Sequence, residues 1–115
     1  MTRDVILFLA DILECCRLLG EYTHGIKESD FSTSIQLQDS VIRRLEIIGE
    51  ATRNISLKLK NDYPEVPWRK MAGMRDILIH RYHGIYLEDV WGIVKKDIPA
   101  LKKQIQKIIA ELKRK

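Results

Sequence analysis

The chain has 115 residues, with 20 Lys and Arg against 16 Asp and Glu, a formal net charge of +4, 45% hydrophobic residues and 31% charged residues. A chain of this length hides roughly two thirds of its unfolded surface and builds one core without disulfides or metals, which excludes a stapled miniprotein, and the hydrophobic fraction excludes general disorder. A charge of +4 is too small to define a nucleic-acid binder, so its distribution matters more than its size.

Val5, Phe8, Ile12, Cys16 and Leu19 step by three or four, with Leu9 and Leu13 widening the stripe, which predicts a first helix ending by Gly20. Cys15 and Cys16 are adjacent and point to different sides of that helix. No Cys-x-x-Cys or zinc-like cluster exists, so neither a disulfide nor a metal site is expected, and the setting is a reducing cytoplasm. The apolar run at residues 5–10 is closed by Asp11; it is too short for a membrane span and lacks a signal-peptide cleavage pattern, so a soluble, unprocessed protein is expected.

A polar link at residues 25–34 offers Ser32 as an N-cap, while His24 before it has no specific role. Val41, Leu45, Ile48, Thr52, Ile55 and Leu59 then predict one long helix reaching about residue 60. The segment Asn61-Asp62-Tyr63-Pro64-Glu65-Val66-Pro67 breaks it, because each proline lacks an N–H and disfavours helical geometry in the residue before it. Pro67 suits the start of a third helix over residues 68–82, with Gly84 placed as a C-terminal cap. A fourth helix is expected at residues 87–96, with Asp97 and Pro99 reading as a cap and restart. The fifth carries Ile98, Leu101, Ile105, Ile108 and Leu112. No strand-like alternation or internal repeat occurs. The expected fold is all-α, an antiparallel bundle of four to five helices forming a single domain over residues 1–115.

No Gly-rich phosphate loop, His-Glu-x-x-His or Gly-x-Ser-x-Gly is present, which removes several enzyme classes and leaves no cofactor implied. The chemistry concentrates in Gly73-Met74-Arg75-Asp76-Ile77-Leu78-Ile79-His80-Arg81-Tyr82-His83. A histidine exchanges protons near neutral pH, and an arginine presents a permanent charge on a fork that fits phosphate oxygens. Together they suit RNA cleavage, in which the 2′-hydroxyl loses a proton and attacks the adjacent phosphorus; His80 is the candidate base and Arg75 the candidate charge clamp. At about 100° per residue His80 lies about 140° around the helix from Arg75, whereas Tyr82 falls almost below it. Convergence then requires a loosened helix, a long arginine reach or a second copy of the chain. Spacing alone equally fits structural roles: His80 satisfied by a backbone carbonyl or sitting as a cation at a helix C-terminus, Tyr82 and Tyr86 as packing residues, Trp68 and Trp91 as core anchors.

Several blocks in order give a resemblance. Arg44-Leu45-Glu46-Ile47-Ile48-Gly49-Glu50-Ala51, Tyr63-Pro64-Glu65-Val66-Pro67-Trp68, the Gly73 to Tyr82 segment, Val90-Trp91 and Asp97-Ile98-Pro99-Ala100-Leu101 resemble the HepT-like toxins of the HEPN superfamily, the all-helical members of HepT/MntA toxin–antitoxin pairs. The resemblance implies a metal-independent endoribonuclease toxin whose R-x4-H-x-Y motif falls on Arg75, His80 and Tyr82. The position after the motif arginine, often Asn in such proteins, is Asp76 here, a supporting residue able to orient Arg75 or His80. The resemblance also implies a homodimer with the RNA cleft between protomers, helices one and two forming the seam. An MntA-like nucleotidyltransferase antitoxin would transfer AMP to Tyr82. Related bundles serve instead as non-catalytic modules docking on a nucleotidyltransferase, and this second reading stays open. Glu50 is either a surface charge or an internal partner for Arg75 or Arg81, and Gly49 allows close helix approach.

Residues 1–100 hold 14 basic and 15 acidic side chains, whereas 101–115 hold six basic and one acidic. Residues 42–82 carry nine basic against five acidic, balanced by three against seven in 1–41. The motif therefore sits in a locally positive region. Arg81, His83, Lys102 and Lys103 are the candidate RNA contacts, a solvated terminal helix being the other reading of the two lysines.

Overall fold

The computed structural model describes residues 2–79 and 87–114. The expected end of the third helix at Tyr82 and the Gly84 cap lie outside the described residues.

Helix α1 (Thr2–Thr23) buries Leu9, Ile12, Cys15, Cys16 and Leu19, the stripe read from spacing. It runs one turn past Gly20, where an end was expected. The Thr23 hydroxyl donates to the Leu19 carbonyl at 2.8 Å, and the Lys95 ammonium donates to the Thr23 carbonyl at 3.0 Å, so the last turn is satisfied from within and from another element. The turn beyond is made by Gly25 at φ 70°, a left-handed value that costs glycine little.

The polar link contains a short helix, α2 (Glu28–Thr33), begun where the Lys27 N–H donates to the Asp30 carboxylate at 3.0 Å. Ser32 lies inside α2, donating to the Ser29 carbonyl, and is not the expected cap. The cap is Ser34, whose hydroxyl accepts from the Leu37 N–H at 3.1 Å to open α3 (Ile35–Arg53). The expected long helix to residue 60 is in fact two. Although Ile55 and Leu59 continue the buried stripe, α3 ends at Arg53, and the Ser56 hydroxyl accepts from the Leu59 N–H at 3.2 Å to start α4 (Leu57–Asp62). Apolar spacing reports which side chains face the core; Asn54 and Ser56 offer the backbone other partners between two stretches of that face.

After the two prolines, α5 (Trp68–Ile79) begins as expected, the Pro67 carbonyl accepting its first bond from the Met71 N–H at 3.0 Å. Helix α6 (Leu87–Gly92) carries Trp91, buried against Phe31 of α2 with ring centroids 5.3 Å apart. The cap and restart expected at Asp97 are absent. The chain winds through residues 93–97 as one π-helical turn, the Ile98 N–H donating to the Ile93 carbonyl, straight into α7 (Ile98–Arg114). Pro99 is tolerated because it stands in the first turn of α7. Helix α7 buries Ile98, Leu101, Ile105 and Ile108.

These helices share one apolar core. Helix α3 runs antiparallel to α1: Tyr22 faces Ser34 and Leu37, whereas Phe8 and Asp11 face Ala51 and Asn54. Helix α7 packs on α1, and α5 packs on α3. The end of α7 is tied back by the Tyr63 hydroxyl, which donates to Glu111 at 2.5 Å; that bond pushes the phenol pKa up to about 12. The fold is all-α, and among the described residues no helix is long and apolar enough to cross a membrane.

Burial pushes the Cys16 thiol up to about 12 and raises Cys15 despite the nearby Arg44 charge. Only a thiolate reacts with iodoacetamide. At pH 8 the native protein is therefore expected to resist labelling at both positions and to label fully in denaturant, as mass spectrometry will count. Because the folded pKa lies above the unfolded one, this contribution to stability is complete below about pH 9 and declines as pH rises toward about 12.

Candidate functional site

Helix α5 presents Trp68, Met71 and Met74 to the core at 8%, 0% and 2% exposure, a spacing of three that turns the following residue, Arg75, to the rim of the buried face. Its start is pinned twice. The Trp68 indole N–H donates to the Tyr63 carbonyl at 2.9 Å, and Lys70 Nζ donates to Asp97 Oδ2 at 2.8 Å, joining α5 to the π-helical turn. Asp97, expected as a cap, is thus a cross-link instead.

The close contact between α3 and α5 falls at Arg75. A Cβ built on Gly49 would lie 2.6 Å from the Arg75 backbone nitrogen and 2.9 Å from the Arg75 Cβ. No side chain fits there, so glycine lets the two backbones approach as the sequence reading anticipated. One residue on, Glu50 reaches across: its Oε1 forms an ion pair with Arg75 Nε at 2.5 Å, the side chains being 50% and 39% exposed. Of the two partners considered for Glu50, the structure joins it to Arg75; Arg81 lies outside the described residues.

Asp76 is exposed and its partner among the described residues is Arg53; His80, one of the two residues it was expected to orient, lies outside them. The Asp76 carboxylate accepts from Arg53 Nη2 at 3.3 Å. Arg53 went unrecognised in the sequence, although it follows Glu50 by three residues and so shares its side of α3. Two oppositely oriented pairs, Glu50 with Arg75 and Arg53 with Asp76, therefore join α3 to α5 beside the glycine contact. The Arg53 guanidinium offsets the negative charge that Asp76 would otherwise add beside Arg75.

On its other side Glu50 borders an open groove of about 290 Å³ between α1 and α3, lined also by Phe8, Asp11, Arg43, Ile47, Ala51 and Asn54. Lys102 and Lys103 sit on α7, which packs on α1. Lys102 is half-buried near Cys16 and Lys103 is exposed. Among the described residues no ion pair or hydrogen bond joins either lysine to the Arg75 cluster. His80, Arg81, Tyr82 and His83 lie outside the described residues. Among the described residues no group of three or more His, Cys, Asp or Glu converges as metal ligands would.

The family model described as ribonuclease HepT-like matches residues 12–108. A "Probable ribonuclease HepT" of Thermococcus cleftensis is 48% identical over 108 residues, covering 94% of this chain and 98% of that protein. A protein of Methanocaldococcus jannaschii named "Putative RNase" is 45% identical over 104 residues, 90% of this chain and 95% of its own length. A "Gamma-glutamylcyclotransferase and putative RNase" of the same organism is 51% identical over 112 residues; the match takes in 97% of this chain but only about half of that longer protein, 50%. No solved structure matches. With a family model matching residues 12–108 and near full-length identities of this size, the chain belongs to the ribonuclease HepT-like family and its class of activity is that of a ribonuclease.

Proposed function

We propose that the protein is the toxin of a toxin–antitoxin pair, a metal-independent endoribonuclease acting through Arg75, His80 and Tyr82 in one HEPN-like domain. The observation that carries this reading is the seating of Arg75. The motif arginine stands at a close contact between α3 and α5, backed by Gly49 and paired with Glu50. A charge that must meet a transition state is most useful when it is held in place beforehand.

In the proposed reaction His80 takes the proton of the ribose 2′-hydroxyl and the oxygen attacks the adjacent phosphorus. The bond from phosphorus to the 5′-oxygen breaks, and that oxygen leaves with a proton. The products are a 2′,3′-cyclic phosphate and a 5′-hydroxyl. Arg75 balances the charge that builds on the phosphoryl oxygens. In a homodimer a second His80 acts as the acid for the leaving oxygen. Helices α1 and α3 carry the dimer seam, where Leu7 is 54% exposed and Phe8 and Ile47 line the open groove. Arg81 and His83 hold neighbouring phosphates, and Lys102 and Lys103 steer RNA from farther away. The protein works in the cytoplasm.

Neutralisation follows from the position of Tyr82. The MntA-like nucleotidyltransferase joins the Tyr82 oxygen to the α-phosphorus of ATP with loss of pyrophosphate, placing a bulky anion beside His80, where it repels RNA phosphates. Incubation with the partner enzyme and ATP is expected to add one or more AMP masses to the wild type and none to Tyr82→Phe; an unchanged mass gain in that variant moves the acceptor elsewhere. The nuclease reading is tested with purified protein and RNA in the presence of a chelator. Cleavage with cyclic phosphate ends supports it. Absence of cleavage across RNA substrates leaves the non-catalytic docking module as the function.

A further inference from the structure

Glu50 is an odd neighbour for a phosphate-binding arginine, because a carboxylate competes with the phosphate for the same charge. Its geometry resolves the conflict. The ion pair is made at Nε, 2.5 Å from Glu50 Oε1, so the other two nitrogens of the fork, Nη1 and Nη2, remain to meet a phosphate. An arginine can thus hold one anion at Nε and receive a second at Nη1 and Nη2. The backbone adds to this: Gly49 brings α3 against the Arg75 nitrogen and Cβ, so the arginine starts from a fixed point and Glu50 fixes the direction in which it leaves. The Arg53 pair with Asp76 keeps the neighbouring carboxylate from drawing Arg75 the other way.

We propose that Glu50 is a positioning residue for RNA cleavage, holding Arg75 through Nε so that Nη1 and Nη2 meet the scissile phosphate. The inference rests on the ribonuclease reading above and adds to it a residue outside the R-x4-H-x-Y motif. A half-exposed pair contributes little to stability, so the loss of Glu50 is expected to appear in the chemical step and not in the melting temperature. Misplacing a catalytic group by about 1 Å can lower the rate ~10²-fold.

The test uses Glu50→Ala and Glu50→Gln beside the wild type, with two readouts. In steady-state cleavage Glu50→Ala lowers kcat by ~10²-fold while KM stays equal or falls, since an anion has left the neighbourhood of the phosphate; Glu50→Gln, whose amide oxygen occupies the same place beside Nε, recovers part of kcat. The second readout is the Arg75 Nε–H resonance in a nitrogen-15 spectrum, assigned by its disappearance in Arg75→Lys. It stands apart in the wild type and moves further on adding a 2′-O-methyl RNA, which has no nucleophile to cleave. In Glu50→Ala it merges with the solvent-exposed arginines. A kcat equal to wild type in Glu50→Ala, or an unmoved resonance, overturns the proposal. A wild type that cleaves no RNA overturns the ribonuclease reading, while the resonance still decides whether Glu50 holds Arg75 toward an RNA phosphate.

Discussion

His80→Ala is expected to lower RNA cleavage by about 10²–10⁴-fold, the contribution of a positioned general base, without weakening RNA binding. Arg75→Ala is expected to cost about 10²–10³-fold, because the charge on the phosphoryl oxygens then develops without its nearest cation. The double variant should be little worse than the more damaged single one, since the two groups serve the same transition state. Rates are read from a fluorogenic RNA in chelator, with helix content checked by circular dichroism. The Arg75 change also leaves Glu50 as a half-exposed carboxylate able to turn to solvent, so the fold should survive. Either variant retaining wild-type activity with an intact fold would remove that residue from the mechanism. In cells, both changes are expected to relieve growth inhibition.

The second large effect is structural and falls on a residue with no reactive group. In Gly49→Ala the new methyl meets the Arg75 nitrogen at 2.6 Å and its Cβ at 2.9 Å. Those atoms belong to the backbone and root of α5 and have no flexible tip to swing aside. The helices must separate, and overpacking of this kind costs about 1–3 kcal/mol. For a domain near 100 residues each 1 kcal/mol lowers the melting temperature by about 4–8 °C. Activity at temperatures below the transition should fall as well, because separating α3 from α5 moves Arg75 off its seat. An exposed glycine supplies the control: Gly20, with nothing within 4 Å of a built Cβ, accepts Ala without loss and with a small gain in helix stability. A Gly49→Ala protein melting with the wild type would show that the contact is loose.

Much of this architecture was legible beforehand, and the misses share a cause. The stripes through Leu9, Ile12, Leu19, Val41, Leu45, Ile48, Leu101, Ile105 and Ile108 mark the core correctly because burial follows from the helical period. Backbone breaks do not follow from it. The interruption between α3 and α4 hides beneath the unbroken apolar series from Thr52 to Ile55 and Leu59, and the π-helical turn before α7 resembles a capped restart until its hydrogen bonds are traced. Ser32 and Ser34 offer the same hydroxyl two residues apart; α2 takes up Ser32, and the extended backbone at Ser34 lets its hydroxyl cap α3.

The site divides in the same way. Arg75, Asp76, His80 and Tyr82 stand out as residues because their types and spacing are local properties of the chain. Their partners are properties of two helices at once. Glu50 lies 25 positions before Arg75 and Arg53 lies 23 before Asp76, so no periodicity within one helix links them. Which carboxylate reaches which arginine depends on how far α3 is rotated and how closely it approaches α5, and Gly49 sets that approach. Composition and spacing thus specify an all-α fold and its buried faces, and they single out the candidate reactive side chains. The charge pairing that holds Arg75 emerges only when α3 and α5 pack, because a side chain's direction becomes fixed when a neighbouring helix limits its freedom.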